Sequence, residues 1–261
     1  MTEKFHLYNG TVELCYDPQR HLYTVGGIPI EGVTSVVSVI DKSAPLMQWA
    51  VNEAIDYLRE RIKPGLPLDE IQLKEALYGA SIQHKVFKRK AGDLGTLIHG
   101  WIESYIKGEK PPMPINEAMK NGVNAFLSWM EKNEVKFLSS ERKIYSRKYK
   151  FAGTLDAEGT IGGKSAIIDF KTSNAIYDEM RYQVAAYQCA REEEEGKRYD
   201  ERWIIRFSKK LDDAGLAEFE AARLDNYEED LKAFLGALVL YRRQKQLRGM
   251  FAPLRTKIES E

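Results

Sequence analysis

The pattern of hydrophobic and polar positions changes its period along the chain. Apolar and alternating runs come first, and the turn residues Asp17-Pro18 and Gly26-Gly27 separate them into TVELCY, HLYTV and IPIEGVTSVVSVI. Short runs of this kind between turn residues are typical of strands. The sequence therefore predicts that the chain opens with a small β-meander.

Helical periodicity follows the meander. Apolar residues recur at spacings of three and four, which predicts amphipathic helices near 43–58, 69–79, 81–107 and 115–134. Ser43 is a candidate N-cap for the first of these helices. The first half of the chain is thus predicted to combine a meander with a helical region.

The second half returns to a strand-like pattern. The segment 139–173 predicts a strand meander with a tight turn at Gly162-Gly163. The residues after it predict a helix near 178–195, the strand RWIIRFS, a short strand or helix near 217–223 and a helix near 226–247. These elements predict a mixed α/β (α+β) fold with a mixed central sheet flanked by helices. We divide it into residues 1–135 and 136–261, and we expect them to form one compact folding unit.

Composition narrows the function classes. The chain has 261 residues, and its 39 Lys and Arg balance its 39 Asp and Glu, so it is not a globally basic nucleic-acid binder. Two cysteines, Cys15 and Cys189, cannot supply the four ligands of an iron–sulfur cluster. The N-terminus lacks the apolar core of a signal peptide, and the most apolar stretch, AFLGALVLY, is too short to cross a membrane. We expect a cytoplasmic protein without a membrane partner.

Charge is nevertheless segregated. A basic cluster precedes the most informative segment, at Arg142, Lys143, Arg147, Lys148 and Lys150, and a second lies near 84–90. Such clusters are typical of solvated faces or of local phosphate-binding tracks. The interleaved aromatic residues Tyr145, Tyr149 and Phe151 could stack on single-stranded bases, although alternating aromatic residues in a strand more often form core. The acidic run 192–195 is predicted to be a solvated helix end.

The segment 153–171 carries the candidate chemistry. In a strand, residues two apart point to the same face, so Asp169 and Lys171 project together, away from Ile168 and Phe170. A hairpin at Gly162-Gly163 would bring Asp156 close to Asp169. Two carboxylates near a lysine indicate a Mg²⁺ site, in which the metal stabilises charge on a phosphate and activates water. The lysine would orient that water or neutralise charge on the phosphate. The alternative is an ordinary exposed Asp–Lys pair.

Four short elements occur in a telling order: His99 in GTLIHGWIESY, GTLD at Gly153–Asp156, IDFKT at Ile168–Thr172, and a Q-x-x-x-Y pair at Gln183 and Tyr187. Together they resemble the PD-(D/E)XK nuclease superfamily, and within it the RecB-like and phage-type exonucleases. The N-terminal segment from HLYTV onward is also similar to mitochondrial genome maintenance exonucleases.

The resemblance implies a restriction-endonuclease-like core and a role for each matched residue. Asp156 and Asp169 would be catalytic metal-binding acids, Lys171 the catalytic lysine and His99 a further metal ligand contributed by the N-terminal portion. Gln183 and Tyr187 would position the DNA backbone or the catalytic strand. Asp169 stands where glutamate is commoner. Further candidate site residues are Glu103, Glu141, Lys148 and Lys150.

The function implied is that of a Mg²⁺- or Mn²⁺-dependent DNA exonuclease without an iron–sulfur cluster. It would hydrolyse phosphodiester bonds at DNA ends, favouring single strands, in phage or bacterial DNA processing, recombination or repair. An oligomer or a recombination partner is compatible with this role. Two alternatives stay open: a structure-selective endonuclease or nickase of the same superfamily, and a non-catalytic DNA-binding module that retains the fold.

Overall fold

The computed structural model describes residues 2–63, 65–211 and 217–258. In chain order its elements are β1 (Glu3–Leu7), β2 (Val12–Asp17), β3 (Leu22–Val25), β4 (Ile28–Gly32), α1 (Val33–Val37), α2 (Ser43–Arg61), α3 (Glu70–Ile106), α4 (Glu117–Lys132), β5 (Lys136–Ser146), β6 (Phe151–Ile161), β7 (Lys164–Lys171), α5 (Asp178–Glu195), β8 (Glu201–Leu211), β9 (Ala217–Leu224) and α6 (Tyr227–Ile258).

The chain forms two compact units. The first joins Met1–Ile40 to Trp101–Glu261, and the second is Asp41–Gly100. Helix α3 passes from the second unit into the first at Trp101. The division near residue 135, which concerns folding units, stays a prediction.

The first unit contains a nine-stranded mixed sheet. Its strand order is β1-β2-β3-β4-β6-β7-β8-β9, and β5 pairs with the other edge of β6. The N-terminal meander is therefore part of the same sheet as the later strands. The predicted fold class, a mixed sheet flanked by helices with a meander at its front, is confirmed.

Strand β6 is shared by two neighbours along one edge. Strand β4 pairs with it in parallel at Phe151 and Ala152, and β7 pairs with it antiparallel from Ala157 to Ile161. The residues between, Gly153–Asp156, fall between the two registers. On its far side β7 continues to pair with β8 as far as Lys171. The sheet thus splits along this edge, and the split lies at the segment that the sequence singled out.

Helices cover the two faces of this sheet. On one face Phe126 of α4 contacts Phe137, Phe170 and Phe207, with ring centroids 5.8–6.3 Å apart. On the other face, buried side chains of α1, α5 and α6 pack on β6, β7 and β8 in one apolar cluster. Burial on both faces explains why β7 is nearly continuous in apolar residues.

Two local predictions were wrong at their boundaries. The run IPIEGVTSVVSVI is not one strand, because β4 ends at Gly32 and Val33–Val37 form helix α1. The buried residues of α1, Val33, Val36 and Val37, have helical spacing, so packing rather than β propensity decides the local structure. The two helices predicted at 69–79 and 81–107 are one helix, α3.

The predicted cap of α2 also differs. Ser43 is the first helical residue, and its backbone N–H donates to Asp41 Oδ1 at 2.8 Å.

Among the helices in the described part of the chain, none is long and apolar enough to cross a membrane.

A buried ionic network fastens α5 to the sheet. Arg191, 2% exposed, donates to both carboxylate oxygens of Glu158 on β6, from Nε at 2.9 Å and from Nη2 at 3.2 Å. The Tyr199 hydroxyl donates to Glu158 at 2.6 Å and Ser139 donates at 2.9 Å. Every oxygen of this carboxylate is therefore hydrogen-bonded, which a buried charge requires.

The acidic run at the end of α5 belongs to the same network, so its prediction as a solvated helix end was wrong. Glu194 and Glu195 pair with Arg191, and Glu193 accepts from Ser146 Oγ at 2.7 Å and from the Lys148 N–H at 2.9 Å. Part of this network is not visible in the sequence, because Ser146 and Lys148 lie more than forty residues before Glu193.

Replacing Arg191 with methionine is expected to destabilise the protein by about 3–5 kcal/mol, because Glu158 would be left as a buried charge without its main partner. Urea unfolding followed by circular dichroism measures this. Lys4→Ala, which removes an exposed pair with Glu13 (3.1 Å), should leave the stability close to that of the wild type, because exposed ion pairs contribute little. The double variant Glu158→Leu/Arg191→Met should recover part of the loss. A single Arg191→Met variant as stable as the wild type would contradict the assignment.

Candidate active site

Asp156 and Asp169 face each other across the split in the sheet. The last ladder pair between β6 and β7 is Ala157 with Ile168, so the next position in register sets Asp156 opposite Asp169. There the Phe170 backbone N–H donates to Asp156 Oδ2 at 2.8 Å. A side-chain carboxylate thus bridges the two strands at the point where the backbone ladder ends.

Lys171 shares the face of Asp169, as the two-residue period predicts. Its ammonium forms an ion pair with Asp169 Oδ2, and Asp169 is fully buried. Burial lowers the pKa of Lys171, but attraction to Asp169 and Asp156 outweighs burial and leaves this pKa above its usual value. Lys171 is therefore a cation and a hydrogen-bond donor in this site.

Asp156 lies in a less favourable environment for its charge. Burial raises the pKa of its carboxyl to about 6, although Lys171 and the Phe170 N–H each lower it. Nearby Glu141 raises this pKa further. Repulsion between neighbouring carboxylates, added to their desolvation, creates a demand for positive charge.

Helix α5 presents Gln183 and Tyr187 to the same place. Gln183 Nε2 donates to the Tyr187 hydroxyl at 2.7 Å, as expected for residues one turn apart. The pKa of Tyr187 lies well above its ordinary value because of burial and because Asp169 and Asp156 are near. Gly153 makes this approach feasible, since a Cβ there would lie 2.9 Å from Tyr187 Cε1.

A cavity of about 560 Å³ lies beside Asp156 and the Gln183–Tyr187 pair. Asp156, Gln183 and Tyr187 line it, together with Gly153 and Thr154 of β6, Glu141 and Lys143 of β5, the β4–α1 junction (Gly32, Val33, Thr34, Ser35) and residues of the meander (Glu3, Tyr16, Pro18, His21, Tyr23). The cavity is large enough for a nucleotide-sized group.

Glu141 enters the cavity through an irregularity in β5. Its backbone has a φ of +51°, and the pairs on either side of it are Ser140 with Ala157 and Arg142 with Leu155. Left-handed backbone is uncommon for glutamate and costs free energy. Burial raises the pKa of Glu141. The structure therefore brings this candidate together with Asp156.

Glu103 on α3 pairs with Lys107, just beyond the end of that helix, and is near enough to Glu141 to raise its pKa. The remaining candidates lie away from the cavity. Lys148 lines a different cavity, beside Tyr149 and Cys189, and the Lys150 ammonium lies 5.8 Å from the ring centroid of Tyr145. Of the second basic cluster, the side chains at 88 and 90 fall outside the described residues. His99 is half-buried on α3 in the second unit, and its role as a metal ligand stays a prediction.

The sequence missed the meander's part in this cavity. Local patterns predict no function for Tyr16, His21 and Tyr23, and they place Lys143 only in a basic cluster. A signal was present, because Tyr16 and Tyr23 are aromatic residues in two consecutive predicted strands. Joining them to Asp156 requires the pairing of β4 with β6, which local patterns do not reveal.

The donor set fits a hard divalent cation. Asp156 and Asp169 are oxygen donors, and their two charges exceed the single charge of Lys171. Within the described residues no three His, Cys, Asp or Glu side chains come close enough together to hold a metal ion. Two carboxylates with the remaining positions left to water and phosphate oxygens is how proteins commonly hold Mg²⁺.

Comparisons with known proteins give weak structural similarities. No family model and no curated protein matches the chain. A provisionally named exonuclease from Eubacterium rectale is similar with a TM-score of 0.41 and 16% identity, over 59% of this chain and 68% of that chain. The alkaline exonuclease of Laribacter hongkongensis is similar with a TM-score of 0.28 and 16% identity, over 53% of this chain and 77% of that chain.

Both of these proteins carry the word exonuclease in their names. At these identities and TM-scores, the case for function rests on the residues of this chain. Those residues provide a cavity lined by Asp156 and the polar face of α5, and behind Asp156 a second carboxylate, Asp169, paired with a cationic lysine.

Gly153→Ala is expected to displace Tyr187, because the new Cβ would lie 2.9 Å from the Tyr187 ring and 3.3 Å from Val33 Cγ2. Overpacking of this kind typically costs about 1–3 kcal/mol, which thermal unfolding measures. Gly236→Ala in α6 is the control, since a Cβ there meets nothing within 4 Å. That variant should be neutral or slightly more stable. Equal stability of the two variants would show that Tyr187 does not pack on Gly153.

Proposed function

We propose that this protein is a metal-dependent DNA exonuclease. The observation that carries the proposal is the meeting of Asp156 and Asp169 at the split between β6 and β7, with Lys171 paired to Asp169. An ordinary exposed Asp–Lys pair would have no second carboxylate opposite it, and its aspartate would not be fully buried as Asp169 is. A catalytic site is therefore favoured over an ordinary solvated strand face.

Asp156 and Asp169 would hold Mg²⁺ or Mn²⁺. When bound, the cation stabilises charge on the phosphate and lowers the pKa of the attacking water. His99 and Glu141 are the further candidate ligands. Glu141 has support from its place in the cavity with Asp156, and His99 from the sequence resemblance alone.

Lys171 would act on the phosphate or on the water through its charge and its N–H groups. The ion pair with Asp169 fixes the ammonium at the site, so no reorganisation is needed when charge develops. Its raised pKa keeps it protonated, which favours stabilisation of charge and orientation of water over removal of a proton. Gln183 and Tyr187 would orient the substrate backbone or Asp156.

The proposed substrate is DNA with free ends, and single strands are favoured. Lys143 is the member of the first basic cluster that reaches the cavity, and a lysine there supplies a phosphate contact within a chain of zero net charge. On the sequence resemblance, we propose that the reaction serves DNA processing, recombination or repair in a phage or bacterium. A cytoplasmic location, an oligomer and a recombination partner belong to the same proposal.

Lys171→Ala, Asp169→Asn and Asp156→Asn are each expected to lower kcat by at least about 100-fold. The lysine variant removes the positive charge that faces the reacting phosphate, and each aspartate variant removes a negative charge that would hold the cation. The assay uses end-labelled linear single-stranded DNA with Mg²⁺. Circular dichroism shows whether each variant folds. Lys164→Ala is the matched control on the same strand, since Lys164 is exposed and pairs with Glu201. If both Lys171→Ala and Asp169→Asn still cleave DNA, the catalytic assignment is contradicted.

Circular single-stranded DNA separates the two kinds of nuclease in the same assay. An exonuclease leaves the circle intact while degrading the linear strand. If the circular and the linear strand are cut at equal rates, the protein is an endonuclease or nickase and not an exonuclease. If the wild type binds both the circular and the linear strand but cleaves neither with Mg²⁺ or Mn²⁺, the non-catalytic DNA-binding module is the remaining alternative.

A further inference from the structure

One wall of the Asp156 cavity is aromatic and comes from the N-terminal meander. Tyr16 and Tyr23 face each other directly across β2 and β3, and their rings stack with centroids 4.7 Å apart and an angle of 26°. Both line the cavity with Asp156. Stacked aromatic rings beside a phosphodiester-cleaving site are suited to contact a nucleobase.

This wall is tied to the candidate catalytic strand. The Tyr23 hydroxyl is hydrogen-bonded to Thr154 Oγ1 at 2.8 Å, two residues before Asp156. Tyr23 is 8% exposed, whereas Tyr16 is only half-buried. Tyr23 is thus the fixed member of the pair, and Tyr16 is the ring that a ligand can reach.

Two polar groups accompany the Tyr16 ring. The Lys143 ammonium lies 5.0 Å from its centroid, and its hydroxyl is hydrogen-bonded to His21 Nδ1 at 3.1 Å. His21 is exposed and has a φ of +49°, so the turn holds its ring beside Tyr16. A ring to stack on, a cation for phosphate and an imidazole for hydrogen bonding match the parts of a nucleotide.

The aromatic residues interleaved with the first basic cluster are not available for stacking. Tyr145 is 4% exposed and Phe151 is fully buried, and Tyr149 stacks on Phe151. They form core, as aromatic residues alternating in a strand usually do. The aromatic surface that opens onto the cavity is therefore the one formed by the meander.

We propose that Tyr16, with His21 and Lys143, binds the nucleotide at the end of the DNA strand being cut. Tyr16 contacts the base, and Lys143 contacts a phosphate. This inference rests on the proposed function and adds a substrate requirement to it. The base must be unstacked from its neighbours, so a single-stranded or frayed end is the ligand. Because every base has a π face, the contact tolerates any sequence.

The test compares two ligands in the full-length protein: a short labelled single strand, and the same strand without the base of its end nucleotide. Fluorescence anisotropy in EDTA gives each Kd independently of cleavage, and both ends are tried in turn. In wild type, loss of the base at one end should weaken binding by roughly tenfold. Tyr16→Ala and Tyr16→Leu should bind both strands equally weakly, and Tyr16→Phe should retain the preference.

Tyr78→Ala, at an exposed tyrosine of α3, is the control and should bind as wild type does. Thermal melts establish that the Tyr16 variants fold, and Tyr16→Leu keeps apolar packing on Tyr23 without a π face. A Tyr16→Ala variant that still prefers the intact strand overturns the inference, even where Mg²⁺-dependent cleavage proceeds. A Tyr16-dependent preference without any cleavage supports it and overturns the proposed function instead.

Discussion

The hydrogen bond from the Phe170 N–H to Asp156 Oδ2, 2.8 Å long, is the interaction on which the candidate site depends. Pairing of β6 with β7 ends at Ala157 and Ile168, and a further backbone pair would close the space that the site occupies. The Asp156 side chain takes the place of a backbone acceptor. The strands can therefore diverge without leaving the Phe170 N–H buried and unsatisfied. The same bond orients the carboxylate opposite Asp169.

Other contacts hold β6 in the position that this bond requires. Glu158, two residues beyond Asp156, is fixed by Arg191 and Tyr199, and Thr154, two residues before it, is bonded to Tyr23. Gly153 admits the Tyr187 ring. The strand is thus anchored on both sides of Asp156, by α5 and by the meander. Preorganisation of this kind keeps charged groups at fixed distances without motion during a reaction.

Local patterns predicted a substantial part of this arrangement. The two-residue period of a strand places Asp169 beside Lys171, the Gly162-Gly163 turn sets the hairpin register, and the helical period places Gln183 beside Tyr187. The fold class and most elements also follow from period and turn residues. These features depend on neighbours within a few residues or on one hairpin, so the sequence contains them directly.

What the sequence did not predict depends on distant partners. The run at 33–37 becomes a helix because its valines are buried against α5 and α6, and Glu193 is anchored because Ser146 and Lys148 lie beside it. Tyr16 and His21 reach the cavity only through the parallel pairing of β4 with β6. Glu141 reaches it through a backbone irregularity. Neither the parallel pairing of two strands nor a left-handed backbone at a glutamate can be predicted from the residues next to it in the sequence.

Binding of Mn²⁺ tests most directly the central claim that Asp156 and Asp169 together form a cation site. Titration of the protein with Mn²⁺, followed by electron paramagnetic resonance, measures affinity without any substrate. The account predicts binding to wild type that weakens by at least about tenfold in Asp156→Asn and in Asp169→Asn. It predicts no change in Asp200→Asn, an exposed acid bonded to Ser165. Equal affinity of the wild type and both site variants would contradict it.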